Sequence, residues 1–176
     1  MRIDSPPDSG YPGIALRQLE HADIPAWYAY LSIPAVVEHT SWNLRSAEDL
    51  VPMVDALEST APTSMRRMAM IDRERGVLVG TIGFHTISEM NRSAEIAYDL
   101  APDCWGRGIA SAVCAAVTVW AFAQYGLVRV QATVLDTNLR SDKVLKNCGY
   151  SYEGLLRAYR MVRGTPGNFR MYARLS

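Results

Sequence analysis

The fold is decided by residues 95–126, which read EIAYDLAPDCWGRGIASAVCAAVTVWAFAQYG. Residues 95–100 contain enough β-branched and aromatic side chains to extend as a strand, and Pro102 ends it. Residues 109–125 carry no charge and are rich in alanine, which favours one long helix that Gly126 ends. The stretch therefore predicts a strand, a tight glycine turn and a largely apolar helix.

The turn between this strand and helix has two glycines, Gly106 and Gly108, on either side of Arg107. The first N–H groups of a helix have no partner within it, and the helix dipole adds partial positive charge there. Because glycine lacks a Cβ, an anion can approach these N–H groups closely, and Arg107 adds a cation. The turn suits a phosphate group, although an ordinary strand-to-helix connection uses the same small residues. The chain has no Gly-Lys-Ser/Thr of a P-loop, and Ser111 replaces the third glycine of a dinucleotide fingerprint.

The composition indicates one globular domain in a reducing compartment. Of 176 residues, 49% are hydrophobic, and 18 Lys and Arg residues balance 18 Asp and Glu residues. No net field therefore favours nucleic acid or an anionic membrane as a partner. Three cysteines, Cys104, Cys114 and Cys148, have neither metal-ligand spacing nor the even number of a disulfide set. They predict free thiols, no metal site and a cytoplasmic protein.

Residues 108–128 contain no charged side chain and are long enough to span a membrane. However, Ser111, Thr118, Gln124 and several alanines keep this run only moderately apolar. A helix that is apolar all round is also typical of the interior of a globular protein. The buried helix is the preferred interpretation, and we predict no membrane partner.

The order of elements predicts an α+β fold. Residues 1–13 have three prolines and no apolar core, so we expect a flexible tail before a single domain over residues 14–176. Strands are predicted at 14–19, 65–71, 77–84, 94–100, 128–134, 150–163 and 168–175, and helices at 23–31, 46–59, 109–125 and 139–147. Ser46 and Asp49 form a near capping box for the second helix. Residues 128–134 should lie parallel to residues 94–100 through a right-handed crossover, giving a mixed sheet flanked by helices.

These residues resemble a known family. Residues 105–110, WGRGIA, are similar to the pyrophosphate loop of the GNAT acetyltransferases, Gln/Arg-x-x-Gly-x-Gly/Ala. Trp105 departs from the usual Gln/Arg, as in the branch that resembles the ribosomal-protein N-acetyltransferases. The order of elements extends the resemblance from Ile14 to Leu175, and further similar stretches are LVGTIG at 78–83, EIAY at 95–98, NLRS at 138–141 and GY at 149–150. The resemblance implies the GNAT fold and transfer of an acetyl group from acetyl-CoA to an amine.

The resemblance also implies which residues hold acetyl-CoA. The loop would bind the pyrophosphate, the free edge of the central strand would pair with the pantetheine arm, Asn138 would bond that arm, and Lys143 would reach a phosphate. The residues concerned are Ala97, Tyr98, Leu100, Trp105, Gly106, Arg107, Gly108, Ile109, Ala110, Asn138 and Lys143. Asn138 could cap the following helix at the same time, and for Lys143 a solvated helix lysine is the preferred alternative.

Amine acetylation needs a base for the ammonium, a donor for the carbonyl oxygen and a proton for the departing thiolate. By resemblance, Glu95 is the candidate base, directly or through a water molecule, and Ser141 the candidate proton donor. Each has a structural alternative: Glu95 as a solvent-facing carboxylate in an ion pair, Ser141 as a first-turn serine bonded to Asn138. Tyr152 and Tyr159 are alternative acids for which core packing is preferred.

The sequence leaves the acceptor open between a protein N-terminal amine and a small amine, and it leaves a homodimer open. Acidic residues in the first half, Glu38, Glu48, Asp49 and Asp55, would suit a cationic acceptor. Two departures from the related branch bear on acceptor choice: Ala112 replaces a frequent glutamate, and Asn168 stands where an aspartate is common.

No cysteine has a histidine partner in sequence, so we expect direct transfer. A non-catalytic acyl-CoA-binding module and a purely structural protein remain the competing hypotheses.

Overall fold

A computed structural model describes residues 2–176, and seven strands form one mixed sheet. The strands are β1 (Ile14–Gln18), β2 (Arg66–Asp72), β3 (Leu78–Ser88), β4 (Ser93–Leu100), β5 (Arg129–Leu135), β6 (Ser151–Val162) and β7 (Thr165–Leu175). Their order in the sheet is β1-β2-β3-β4-β5-β7-β6, and every neighbouring pair except β4–β5 is antiparallel. The predicted α+β class and mixed sheet are confirmed.

Helices cover both faces of this sheet. They are α1 (Ile24–Leu31), α2 (Pro34–Val37), α3 (Val51–Asp55), α4 (Ile109–Tyr125) and α5 (Leu139–Asn147). Helices α4 and α5 share one apolar cluster with β3, β4 and β5, and helices α1 and α3 form a second cluster with β2. The first cluster packs α4 and α5 against β4 and β5 in the middle of the sheet.

Helix α4 connects β4 to β5, and these strands are parallel, as predicted. Val113, Cys114, Val117 and Ala121 of α4 are fully buried. Gly126 has a left-handed φ of 60° and ends the helix. Within residues 2–176 we find no helix with the length and apolar character that spanning a membrane requires.

Three predicted boundaries differ from the structure. The helix expected over 46–59 is broken into a 3₁₀ turn at Ala47–Leu50, helix α3 and a second 3₁₀ turn at Ala56–Glu58, although the Ser46–Asp49 capping box is present. Pro52 lacks an N–H group, which weakens a continuous helix there. Strand β3 continues past the predicted end at Phe84 to Ser88, with an irregularity after His85. The last hairpin turns more tightly than expected, and β7 begins at Thr165.

The segment 2–13, expected to be a flexible tail, has no helix or strand, and some of its residues contact the domain. Ile3 is buried, and its N–H donates to Gln18 Oε1 at 2.8 Å. The buried Ser9 hydroxyl donates to the Ile14 carbonyl at 2.7 Å. These side-chain bonds hold the segment, and a proline-rich composition does not reveal them.

Candidate active site

Strands β4 and β5 separate partway along their length. Their parallel pairing joins Ser93–Glu95 to Arg129–Gln131, and in residues 2–176 no β4 residue after Glu95 pairs with β5. On its other side β4 stays paired with β3 as far as Leu100. One edge of residues 96–100 is therefore open to an extended ligand.

Two cavities meet at this gap. We call the larger one, about 580 Å³ along the turn 105–111 and α5, the glycine-turn groove. We call the smaller one, about 310 Å³ around Glu95, the Glu95 chamber. Residues that line both cavities are His39, Thr40, Tyr98, Asn138 and Ser141. A ligand in the groove therefore meets a ligand in the chamber beside Tyr98 and Ser141.

The glycine turn presents unused backbone N–H groups. Gly106 and Gly108 have φ of 73° and 81°, a left-handed conformation that glycine adopts without a Cβ penalty. An added Cβ at either position meets nothing within 4 Å, so the turn faces open space. Within residues 2–176, no amide from Gly106 to Ser111 donates a hydrogen bond, and the first backbone bond runs from Ala112 N to Gly108 O at 3.0 Å. These free donors at the start of α4 fit an anion such as a diphosphate.

Most residues predicted to hold acetyl-CoA line the glycine-turn groove: Tyr98, Leu100, Trp105, Gly106, Gly108, Ile109, Ala110, Asn138 and Lys143. Two do not. Arg107 is exposed and lies outside the lining, and Ala97 lines the Glu95 chamber.

Arg140 lines the groove and was missed by sequence reasoning, because a helix arginine carries no distinguishing pattern. Its guanidinium lies 4.1 Å above the Trp105 ring. Trp105 Nε1 in turn donates to Leu100 O at 2.7 Å. The Trp105 ring thus joins the glycine turn to the end of β4 and holds a cation beside the groove.

Asn138 and Ser141 lie at the start of α5. Asn138 caps the helix, because its Oδ1 accepts from Ser141 N at 3.1 Å, and its Nδ2 donates to His39 O at 3.1 Å. The capping bond uses the backbone N–H of Ser141, so the serine side chain is not committed to Asn138. Tyr98 Oη donates to the Ser141 carbonyl at 3.4 Å. The helix cap therefore positions Ser141 where the two cavities join.

Glu95 is only 2% exposed and lines the Glu95 chamber. Its Oε1 accepts from the Thr133 hydroxyl and from Arg160 Nη2, the latter at 3.0 Å. His85 Nε2 lies 3.9 Å from the same oxygen. Burial lowers the pKa of His85; Glu95 opposes this effect and Arg160 reinforces it. Glu95 is thus in an ion pair, as one alternative held, but it is buried in a cavity and does not face solvent.

Sequence reasoning missed His85 and Arg160. The predicted strand ended at Phe84, just before His85, and the extension of β3 brings His85 to the chamber. Arg160 comes from the last hairpin, 65 residues after Glu95, and only the sheet order brings them together. Tyr152 and Tyr159, for which core packing was preferred, are exposed instead. Their rings lie 5.6 and 5.8 Å from those of Tyr172 and Phe169, and neither lines the groove or the chamber.

Asp99, near the end of β4, connects α1 to the central strand and lines the glycine-turn groove. Its carboxylate accepts hydrogen bonds from Trp27 Nε1 at 3.2 Å, Arg67 Nη2 at 2.5 Å, Thr81 Oγ1 at 2.8 Å and the Tyr30 hydroxyl. Burial, with a contribution from the Asp99 charge, raises the pKa of Tyr30 well above its ordinary value, so the phenol stays a donor. This cluster fixes the chamber wall that carries Arg67.

We expect Asp99→Asn to lower the free energy of unfolding by about 2 kcal/mol, because an amide NH₂ replaces one acceptor in a buried cluster of donors. Denaturant unfolding followed by tryptophan fluorescence measures the change. Asp103→Asn is the matched control, since Asp103 is 58% exposed and pairs with the exposed Arg75. Equal stability of both variants would contradict a structural role for the Asp99 cluster.

Comparison with known proteins identifies the family. Residues 14–151 match the model of the acetyltransferase (GNAT) domain. The uncharacterized N-acetyltransferase YoaA of Bacillus subtilis (strain 168) is 32% identical to this chain over 91% of the chain and 92% of YoaA.

Two solved structures share the fold. One is the spermidine N-acetyltransferase of Vibrio cholerae in complex with CoA and spermine, with a TM-score of 0.81, 20% identity, and coverage of 94% of this chain and 96% of that one. The other is RimL, a ribosomal L7/L12 alpha-N-protein acetyltransferase in complex with coenzyme A, with a TM-score of 0.82, 18% identity, and coverage of 96% and 97%. The chain belongs to the GNAT family of acetyltransferases and is an N-acetyltransferase that uses acetyl-CoA.

Proposed function

We propose that the protein transfers an acetyl group directly from acetyl-CoA to a primary amine bound in the Glu95 chamber. The acceptor is a protein N-terminal amine or a small amine. The supporting observation is that the glycine-turn groove and the chamber meet where β4 and β5 separate, with Glu95 on one side and Ser141 at the junction. A non-catalytic acyl-CoA-binding module needs the groove but has no use for a buried carboxylate in an adjoining cavity.

The groove residues divide the binding of acetyl-CoA among them. The free amides of residues 106–111 would hold the diphosphate, Lys143 and Arg140 would add positive charge, and the open edge of β4 would pair with the pantetheine arm. Asn138 Nδ2, now bonded to His39 O, is the polar group at the junction for that arm. Acetyl-CoA supplies the acetyl group as an activated thioester.

Glu95 is the proposed base. An alkyl ammonium has a pKa of about 10 and an α-ammonium a pKa of about 8, so an acceptor amine is mostly protonated near neutral pH. Glu95 is the sole carboxylate among the described residues that line the chamber, and it accepts the proton directly or through a water molecule. The resulting neutral amine can attack the thioester carbonyl.

Two groups at the junction complete the reaction. A backbone N–H on the open edge of β4 stabilises the negative charge that develops on the carbonyl oxygen. As the C–N bond forms and the C–S bond breaks, the Ser141 hydroxyl gives a proton to the departing thiolate and regains one from the solvent-connected groove. Counted from the ammonium, the acceptor nitrogen loses two protons. Glu95 takes the first and passes it to solvent, and the second leaves as the amide forms and balances the proton that the thiol gains.

The cysteines do not support a covalent acetyl-enzyme. All three are buried free thiols, and of these Cys104 lines the groove. Burial raises the pKa of Cys104, which makes it a poor nucleophile near neutral pH. Transfer in a ternary complex is therefore the proposed route, and the reduced thiols are consistent with work in the cytoplasm.

Turnover of acetyl-CoA with a panel of amines, followed by release of free thiol, tests the proposal. The two structural relatives suggest the panel: N-terminal peptides, after RimL, and polyamines, after the spermidine enzyme. Thiol release that depends on an added amine supports catalysis. Binding of acetyl-CoA with no release for any amine would instead support the acyl-CoA-binding module.

Replacing Ser141 by alanine should lower kcat by roughly three- to tenfold, because a thiol with a pKa of about 8.5 also leaves partly without an acid. Steady-state kinetics with saturating acetyl-CoA measures the effect. Ser151→Ala, at an exposed position that starts β6, is the control and should leave kcat unchanged. An unchanged kcat in Ser141→Ala would leave the residue with no part in proton transfer.

A further inference from the structure

The ion pair of Glu95 and Arg160 lies inside the chamber where the acceptor amine has to bind. Arg160 Nη2 is 3.0 Å from Glu95 Oε1. A guanidinium has five N–H donors. Within the described residues 2–176, this bond to Glu95 is the one hydrogen bond that the Arg160 guanidinium forms. Most of its donors are therefore available to a ligand beside the carboxylate.

The chamber has no excess of negative charge. Glu95 is its one carboxylate among the described lining residues, and Arg160 already compensates it. Arg67 also lines the chamber, and its charge is compensated by Asp99 from outside, at 2.5 Å. None of the acidic residues expected to attract a cationic acceptor lines either cavity: Glu38, Glu48, Asp49 and Asp55. A second or third ammonium group on an acceptor would find no partner there and would face Arg160.

Ring contacts and a strand irregularity position Arg160. Its guanidinium lies over the Tyr159 ring at 4.9 Å and the Phe169 ring at 5.6 Å. Strand β6 is irregular just before it, with Ala158 at a φ of 49°, and the Ala158 N–H donates to Asn168 Oδ1 at 3.0 Å. The irregularity changes the register between Leu156 and Arg160 and so sets where Arg160 enters the chamber. A group fixed in this way can select among acceptors.

We propose that Arg160 is a specificity-determining residue that binds a carbonyl or carboxylate oxygen adjacent to the acceptor amine. Glu95 then faces the ammonium and Arg160 the neighbouring oxygen, so the ion pair is complementary to the α-amino-acyl group. Part of the remaining wall is apolar, formed by Trp42, Met53, Met65, Phe84 and Phe169. The acceptor class is an α-amino-acyl group with an apolar side chain, and polyamines are excluded. This inference rests on the proposed function.

The experiment compares two acceptors that differ in one group, phenylalaninamide and phenethylamine, which lacks the carbonyl. Both are assayed by thiol release with the wild type and with Arg160→Gln and Arg160→Lys. Because each acceptor is compared with itself between enzymes, the different pKa values of the two amines cancel. We expect Arg160→Gln to lower kcat/KM for phenylalaninamide by roughly tenfold more than for phenethylamine, the effect of one lost charged hydrogen bond. Arg160→Lys should restore part of this difference.

Additional acceptors show whether the α-amino-acyl group belongs to a free amino acid or to a peptide N-terminus. Free phenylalanine represents an amino acid and phenylalaninamide a peptide N-terminus, and spermine tests the exclusion of polyamines. Equal losses for phenylalaninamide and phenethylamine in Arg160→Gln would overturn the inference and leave Arg160 as a partner of Glu95 alone. Wild-type turnover of spermine above that of phenylalaninamide would also overturn it while supporting acetyl transfer. If no amine releases thiol, the proposed function fails and the inference fails with it.

Discussion

Replacing Gly108 by glutamate should lower the affinity for acetyl-CoA by at least about 100-fold. The new carboxylate would stand at the start of α4, beside the free amides of residues 106–111. At this position it repels the diphosphate and competes for the same N–H groups. Calorimetric titration with acetyl-CoA measures the loss.

The variant should still fold. A side chain at a φ of 81° is strained by about 1 kcal/mol, but an added Cβ meets nothing within 4 Å and a carboxylate near a helix start is favourable. Gly126→Glu is the matched control, because Gly126 lies at the other end of α4, is also left-handed and also faces open space. It should retain the affinity of the wild type. Retained affinity in Gly108→Glu would mean that the diphosphate binds elsewhere.

The parts of this site that follow local rules could be predicted from the sequence. Gly106 and Gly108 are required by the left-handed turn, and Asn138 by the cap of α5. The parallel pairing of β4 and β5 follows from the handedness of a β-α-β unit. Each of these rules depends on residues close together in the chain, so one sequence is enough to apply them.

The wall of the Glu95 chamber could not be predicted in this way. Arg160 reaches Glu95 only because β7 lies between β5 and β6 and because β6 is irregular near Ala158. His85 reaches the chamber because β3 extends past Phe84. Register and strand length depend on pairing with distant residues, which no local pattern in β6 or β3 expresses. The glycine-turn groove was therefore more predictable than the Glu95 chamber.

Glu95→Gln should lower turnover by about 100- to 10,000-fold near neutral pH, the range expected for removal of a general base. Glutamine has the same shape, and its amide oxygen can still accept from Thr133 and Arg160, so the chamber should keep its form. Acetyl-CoA affinity should be nearly unchanged, because Glu95 lines the chamber and not the glycine-turn groove. Steady-state kinetics and acetyl-CoA titration separate the two effects.

Two variants serve as controls. Glu153→Gln also removes an ion-paired carboxylate, bonded to Arg129 at 2.9 and 2.5 Å, but this one lines neither cavity, and we expect normal turnover. His85→Gln tests the other titratable group near the acceptor, 3.9 Å from Glu95. Normal turnover in Glu95→Gln, together with a large loss in His85→Gln, would transfer the role of base to His85.

The pH dependence distinguishes a lost base from a distorted chamber. Without Glu95, the acceptor must arrive already neutral, so the rate of Glu95→Gln should rise with pH until the amine is deprotonated. For an α-amine with a pKa of about 8, the deficit against the wild type should shrink markedly by about pH 9.5. A distorted chamber would lower the rate by the same factor at every pH. A deficit that stays constant from neutral to alkaline pH would therefore contradict the assignment of Glu95 as the base, since proton removal is the one step that alkaline solvent can replace.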